Sequence, residues 1–196
     1  MGMLSACATE SEEAAPSTPA EVPVSAPPTQ LRWAEFNGMR IPGADEGPRL
    51  DLSTPAPRGF DRTPPGAALA AINATIRLSG ALDSQWPTVV RQLIAPGQAR
   101  DAFITNRIQL STTAGVPEGQ APQVLGWKHT SFTPDRASVD IFTRFPDESL
   151  TVNHSTVVWS NAFGDWRLLL PDETSTAPPV AAVPTAPADM VALKGQ

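Results

Sequence analysis

Gly59-Phe-Asp-Arg-Thr-Pro-Pro-Gly-Ala-Ala-Leu-Ala-Ala-Ile-Asn-Ala-Thr-Ile-Arg-Leu-Ser79 is the stretch from which the rest of the chain can be placed. Thr63 can accept a free N–H as an N-cap, and Pro64 suits the first helical position, where no N–H is needed. Leu69, Ile72 and Ile76 recur at i, i+3 and i+7, on one helical face. Ala67, Ala68, Ala70, Ala71 and Ala74 allow a neighbour to approach closely, and Gly80 reads as the stop. The spacing therefore predicts a capped helix with a small-residue face, on which later elements pack.

On its N-terminal side, Leu31-Arg-Trp-Ala-Glu-Phe-Asn-Gly-Met-Arg-Ile-Pro42 reads as an extended aromatic arm laid on the core, with a turn signal at Asn37-Gly38. Residues 43–58 read as loop. On its C-terminal side, Ser84 to Ala95 predicts a second helix capped by Asp83 or Ser84 and stopped by Pro96-Gly97. Gln98 to about Gln109 predicts a third, with Arg100, Asp101 and Arg107 outside. Residues 111–122 are rich in Gly and Pro and read as loop.

From Gln123 the period changes to two. Strands are expected at 124–132, 137–145, 149–160 and 166–170, joined by the turn sequences Thr133-Pro-Asp-Arg136 and Pro146-Asp-Glu-Ser149. Such short connections force an antiparallel meander. Val139, Ile141, Phe145, Leu150, Val152, Val158, Trp166, Leu168 and Leu170 are assigned to one apolar side. The expected fold class is α+β, with three N-terminal helices packed on a curled four-stranded antiparallel sheet.

The ends differ in composition. Residues 8–30 and 172–196 are rich in Pro, Ala, Ser, Thr and Val and poor in large apolar side chains, which predicts a disordered leash and a disordered tail. One domain over 31–171 remains, near the commonest domain size. The net charge of −6 belongs to these ends, since the leash carries four glutamates and no base, while 31–171 is balanced. No basic face is available to displace phosphate counterions, so nucleic acid is not an expected partner.

Cys7 is the only cysteine, which excludes an intrachain disulfide and a thiolate metal cluster. Leu4-Ser-Ala-Cys7 matches a bacterial lipobox, with Cys7 as the lipid attachment and residues 1–7 as the remnant of its signal. Met1-Gly-Met3 supplies neither the basic nor the apolar region of such a signal. Motif and leash stand in the right order, so the expectation is a lipid-anchored protein on the extracytoplasmic face of the cell membrane. The alternative is a cytoplasmic protein beginning at Met1.

An aromatic arm, a Gly-Pro loop, the opening Gly59-Phe-x-x-Thr-Pro-x-Gly-Ala67 and an Ala-Ala-x-Asn helix together resemble an uncharacterised actinobacterial domain family. Its members look like exported, lipid- or membrane-anchored proteins, often associated with conjugative or integrative elements. The order of helices before strands, with a last strand Gly164-Asp-Trp-Arg-Leu-Leu-Leu170, is similar to the cone of nuclear transport factor 2 and its relatives. The resemblance implies an envelope location and a cone with a mouth, and brings no catalytic residue with it.

Chemistry is therefore weighed residue by residue. His129 and His154 share phase with Trp127 and Val152, so either can face a pocket inside the cone with Trp127 beside them, although a hydrogen-bonded histidine near the sheet rim is the favoured reading of each. They sit on strands separated by a third, about 10 Å apart at the usual strand spacing, which is wide for one zinc ion. Asp140 alternates with Ile141 and points away from the apolar face; Asp165 follows the last turn, where an Asp serves the backbone. No nucleophile elbow or phosphate loop is present, and no cofactor, metal or catalytic residue is expected. Trp159 is out of phase with Val158, marking either a partner surface or burial beneath Trp33. The expected function is a non-catalytic envelope lipoprotein that binds other envelope proteins or itself, as an accessory of a conjugation or secretion apparatus. The alternative is a small-molecule-binding protein or enzyme using the cone mouth.

Overall fold

Asn37 and Gly38 adopt left-handed backbone, with φ of 50° and 86°, in the computed structural model, which describes residues 22–172 and 178–195. Their turn joins β1 (Arg32–Phe36) to β2 (Met39–Gly43) as an antiparallel hairpin, a sheet of its own where a single arm was expected. Gly38 is required twice over. Its φ disfavours any side chain, and a Cβ there would stand 2.2 Å from the Val116 carbonyl oxygen. The Leu4–Cys7 motif and most of the leash lie outside the described residues. The leash's described end, 22–30, holds neither helix nor strand, and the Thr29 hydroxyl donates to Glu46 at 2.7 Å.

The opening stretch forms α1 (Pro64–Gly80) with Thr63 as its cap, the Gly66 N–H donating to the Thr63 hydroxyl at 3.3 Å. Leu69 and Ile72 are wholly buried, and so are Ala67, Ala68 and Ala71. A helix buried on nearly every side must lie between layers. α1 does so, with β2 on one flank and the large sheet on the other. Gly80 acts differently from a left-handed stop: it is the last helical residue, and a Cβ on it would fall 1.9 Å from the Met39 methyl.

Two shorter helices follow, α2 (Trp86–Leu93) and α3 (Gln98–Arg107). Neither Asp83 nor Ser84 caps α2; the cap position is Gln85, which makes no side-chain capping bond. Asp83 instead accepts from the Thr112 N–H at 2.9 Å and the Ser111 hydroxyl at 2.8 Å, anchoring the following loop. Arg107 is buried where exposure was expected. Its guanidinium pairs with Asp83 at 3.1 Å and donates to the Ala81 carbonyl, which offsets the loss of water.

Four strands stand where the period-two pattern placed them: β3 (Gln123–Thr133), β4 (Arg136–Arg144), β5 (Leu150–Ser160) and β6 (Asp165–Leu169), each antiparallel to the next. The sheet does not end there, and the expected three helices on a four-stranded nuclear transport factor 2-like cone are overturned. β7 (Val180–Val183) pairs with β5 below β6, and β8 (Val191–Ala192) pairs with β3, giving six strands beside the separate hairpin. The tail, expected to be disordered from 172, thus supplies two strands within 178–195. Composition misled here because an edge strand is held by backbone hydrogen bonds, such as His154 N–H to the Pro179 carbonyl at 2.8 Å, and needs few large side chains.

The tail also changes the assignment of faces. β7 and β8 lie on opposite edges, so residues 184–190 cross the sheet between them, and Asp189 meets Lys128 at 2.8 Å. Val139, Ile141, Trp166 and Leu168 face α1 and join its core. Val152 pairs with Phe142; both are buried yet stand outside that core, on the face crossed by the tail. A sheet covered on both faces has no single apolar side.

Candidate functional site

The three candidate pocket residues are placed apart: both histidines are hydrogen-bonded, and of the three His154 lines a cavity. Trp127 is wholly buried and fills the core. His129 is on the α1 face, where its Nε2–H donates to the Pro64 carbonyl at 3.0 Å and its ring meets Phe132 edge-on at 5.7 Å. His154 is on the opposite face and exposed, its Nδ1–H donating to Asp140 Oδ1 at 2.7 Å. Trp159 lies neither open to solvent nor beneath Trp33. It is half-buried, edge-on to Trp166 at 5.5 Å, with the Arg62 guanidinium 5.1 Å above its ring.

Burial holds the His129 pKa below its ordinary value, against the opposing pull of the Pro64 and Ser138 carbonyls. The unfolded imidazole then takes a proton first on acidification, so this contribution is intact above about pH 6.5 and lost as pH falls toward the folded value. His129→Gln keeps a donor for Pro64 but cannot charge. Between pH 7 and pH 5 the wild type should lose more stability than this variant in urea titrations; equal losses would remove His129 from the acid response.

His154 and Asp140 have the geometry of a base and its orienting carboxylate. Among the described hydrogen bonds none joins a hydroxyl to His154 Nε2. The other buried ionisable groups serve the frame. Asp165 accepts from the N–H groups of Gly59, Phe60 and Trp166, while burial raises its pKa. Arg77, wholly buried, donates to Asn73 and to the Leu52 carbonyl and lies 4.8 Å from the Phe36 ring; burial lowers its pKa to about 9. No group of three metal-ligating side chains occurs among the described residues.

Two adjoining cavities are left between the C-terminal half of α1 and the sheet. One, of about 310 Å³, is lined by Leu78, Phe103 and Leu168 to Leu170. The other, of about 230 Å³, is lined by Met39, Ile72, Ile76, Val124, Ile141 and Phe145. They share Thr75, Ser79, Asn153 and Val180. Inside, Thr75 and Ser155 hydroxyls lie 3.1 Å apart, and Ser155 donates to Asn153 Oδ1 at 2.6 Å. The result is an apolar groove with a few ordered polar atoms, the usual make-up of a small-ligand site. Of its lining, sequence reasoning singled out only His154, since the walls come from β2, α1, α3, β3 to β7 and the loops beside them, and no local motif joins them.

No helix among the described residues is long and apolar enough to cross a membrane. No curated protein and no solved structure matches this chain. A family model does match, over residues 3–189 and so through the hairpin, α1 and the meander: the chain belongs to the family described as Domain of unknown function (DUF8175).

Proposed function

We propose that the chain is a non-catalytic binding module, anchored by lipid on Cys7 at the outer side of the cell membrane, and that its ligand lies in the groove beneath α1. The observation that carries this reading is the pair of adjoining apolar cavities, of about 310 and 230 Å³, between α1 and the sheet. Binding of a small apolar ligand is thus better supported than a flat protein contact at Trp159, which is already stacked. The anchor rests on the Leu4–Cys7 motif, and the link to an envelope transfer apparatus rests on the resemblance of residues 59–73.

Ser79 is exposed on the shared wall, so Ser79→Trp can fill the groove without entering the core. The neutral dye Nile red should bind the wild type saturably at one site, and Ser79→Trp should weaken it by about tenfold or more with an unchanged melting temperature. Unsaturable dye uptake, or equal binding by the variant, would remove the groove reading. For the anchor, expression from the full coding region should give a protein that partitions into detergent and releases on Cys7→Ser. A soluble, unprocessed product would remove it.

A further inference from the structure

The groove has a charged end, and that end selects a ligand class. Arg40 lines the smaller apolar cavity and also an outer cavity of about 340 Å³, which it shares with Arg144. Phe145 and Pro122 line both, so the apolar space opens directly onto the two guanidinium groups. At the far end, past Thr75 and Ser79, the wall is Phe103, Leu168 to Leu170 and His154, with no arginine, lysine or carboxylate among its lining residues.

We infer that the groove binds a long-chain fatty carboxylate, its head on Arg40 and Arg144 and its chain running beneath α1. This rests on the binding reading above and adds the identity of the ligand. Charge and shape both argue for it. Arg40 makes no ion pair within 4 Å among the described residues; its guanidinium lies 5.2 Å from the Trp33 ring centroid. Arg144 has only Glu148, at 3.8 Å, and both side chains are largely solvated, an arrangement an incoming anion displaces at little cost. Arginine presents paired N–H donors that match a carboxylate, and two of them at one mouth favour an anion over a neutral head. The two adjoining cavities, about 310 and 230 Å³, together fall within the ~300–1,000 Å³ of small-molecule sites, a size that suits one alkyl chain.

The test is calorimetric titration of the full chain with hexadecanoate, hexadecanol and acetate. Hexadecanoate should bind at one site, hexadecanol roughly tenfold or more weakly, and acetate not detectably. The double variant Arg40→Ala/Arg144→Ala changes two exposed side chains. It should bind acid and alcohol alike while keeping Nile red binding and the melting temperature of the wild type. Trp33 emission should shift on adding hexadecanoate to the wild type, because its cationic neighbour is recruited by the head. Equal binding of acid and alcohol by the wild type would overturn the carboxylate assignment and leave the groove standing. An undiminished preference for the acid in the double variant would overturn the role of the two arginines. Loss of every apolar ligand, dye included, would remove the groove itself.

Discussion

Asp165→Ala should lower the free energy of unfolding by about 2–5 kcal/mol, with the urea midpoint falling and the slope unchanged. The carboxylate accepts three backbone N–H groups: Gly59 at 2.8 Å on Oδ2, and Phe60 at 3.2 Å and Trp166 at 2.9 Å on Oδ1. Alanine leaves three donors without acceptors, two of them on the segment that leads into α1. Each stranded donor costs about 1–3 kcal/mol, and the total is smaller than three such terms because the carboxylate itself is held there against desolvation. Asp165→Asn separates the contributions. Its remaining oxygen can keep Phe60 and Trp166, but its amide would face the Gly59 N–H, donor against donor. It should fall between wild type and Asp165→Ala. A loss below about 1 kcal/mol for the alanine variant would show that the 59–60 loop finds other acceptors, and that the seam from Asp165 to α1 is not what fixes the helix.

The chain shows unequally which of its features can be read in advance. Thr63, Pro64 and the alanines act within a few residues of themselves, so α1 was legible to its cap. The β4–β5 turn was legible too, and its register carries more than was drawn from it: Arg144 opposite Leu150 sets Asp140 opposite His154. Their hydrogen bond could have been found by counting from Pro146–Ser149. Between β3 and β4 the same counting fails, because irregularities at Val124/Gly126 and His129/Ser131 each shift the register by one. Phase alone could not place the histidines. His129 and His154 both alternate with buried residues, yet one burial is under α1 and the other under the crossing tail.

The tail was illegible for a thermodynamic reason. Val180, Ala181, Ala182 and Val183 offer too little apolar surface to order themselves, and become a strand only where β5 presents an unpaired edge. The groove is a second case of long-range origin. Met39, Thr75, Phe145 and Val180 come together only after β2, α1, the β4–β5 turn and β7 are packed, so its volume is a property of the assembled layers. Arg40 belongs to the hairpin, and its position at the groove mouth depends on the pairing of β1 with β2.

Gly126→Val should unlatch the C-terminal end of the tail, with a cost of about 2–3 kcal/mol. A Cβ on Gly126 would stand 2.3 Å from the Val191 carbonyl oxygen and 3.0 Å from the Ala192 Cα, both backbone atoms that cannot rotate away. β3 is held along its other edge by β4, whereas β8 has two paired residues, so β8 is the partner that yields. Leu193 would then leave the core, where it is 6% exposed, and full burial of a leucine is worth about 1.5–3 kcal/mol. The Lys128–Asp189 pair would add little, because both side chains are solvated. Hydrogen exchange should quicken at the Leu193 amide, which donates to the Leu125 carbonyl at 2.9 Å, while β4 and β5 amides stay protected. Leu193→Ala supplies the matching control. If both substitutions act through the same undocking, the double variant should be scarcely less stable than Gly126→Val alone. Additive losses, or unchanged exchange at Leu193, would mean that β8 rides with the inserted side chain and that the tail is clamped along its whole crossing.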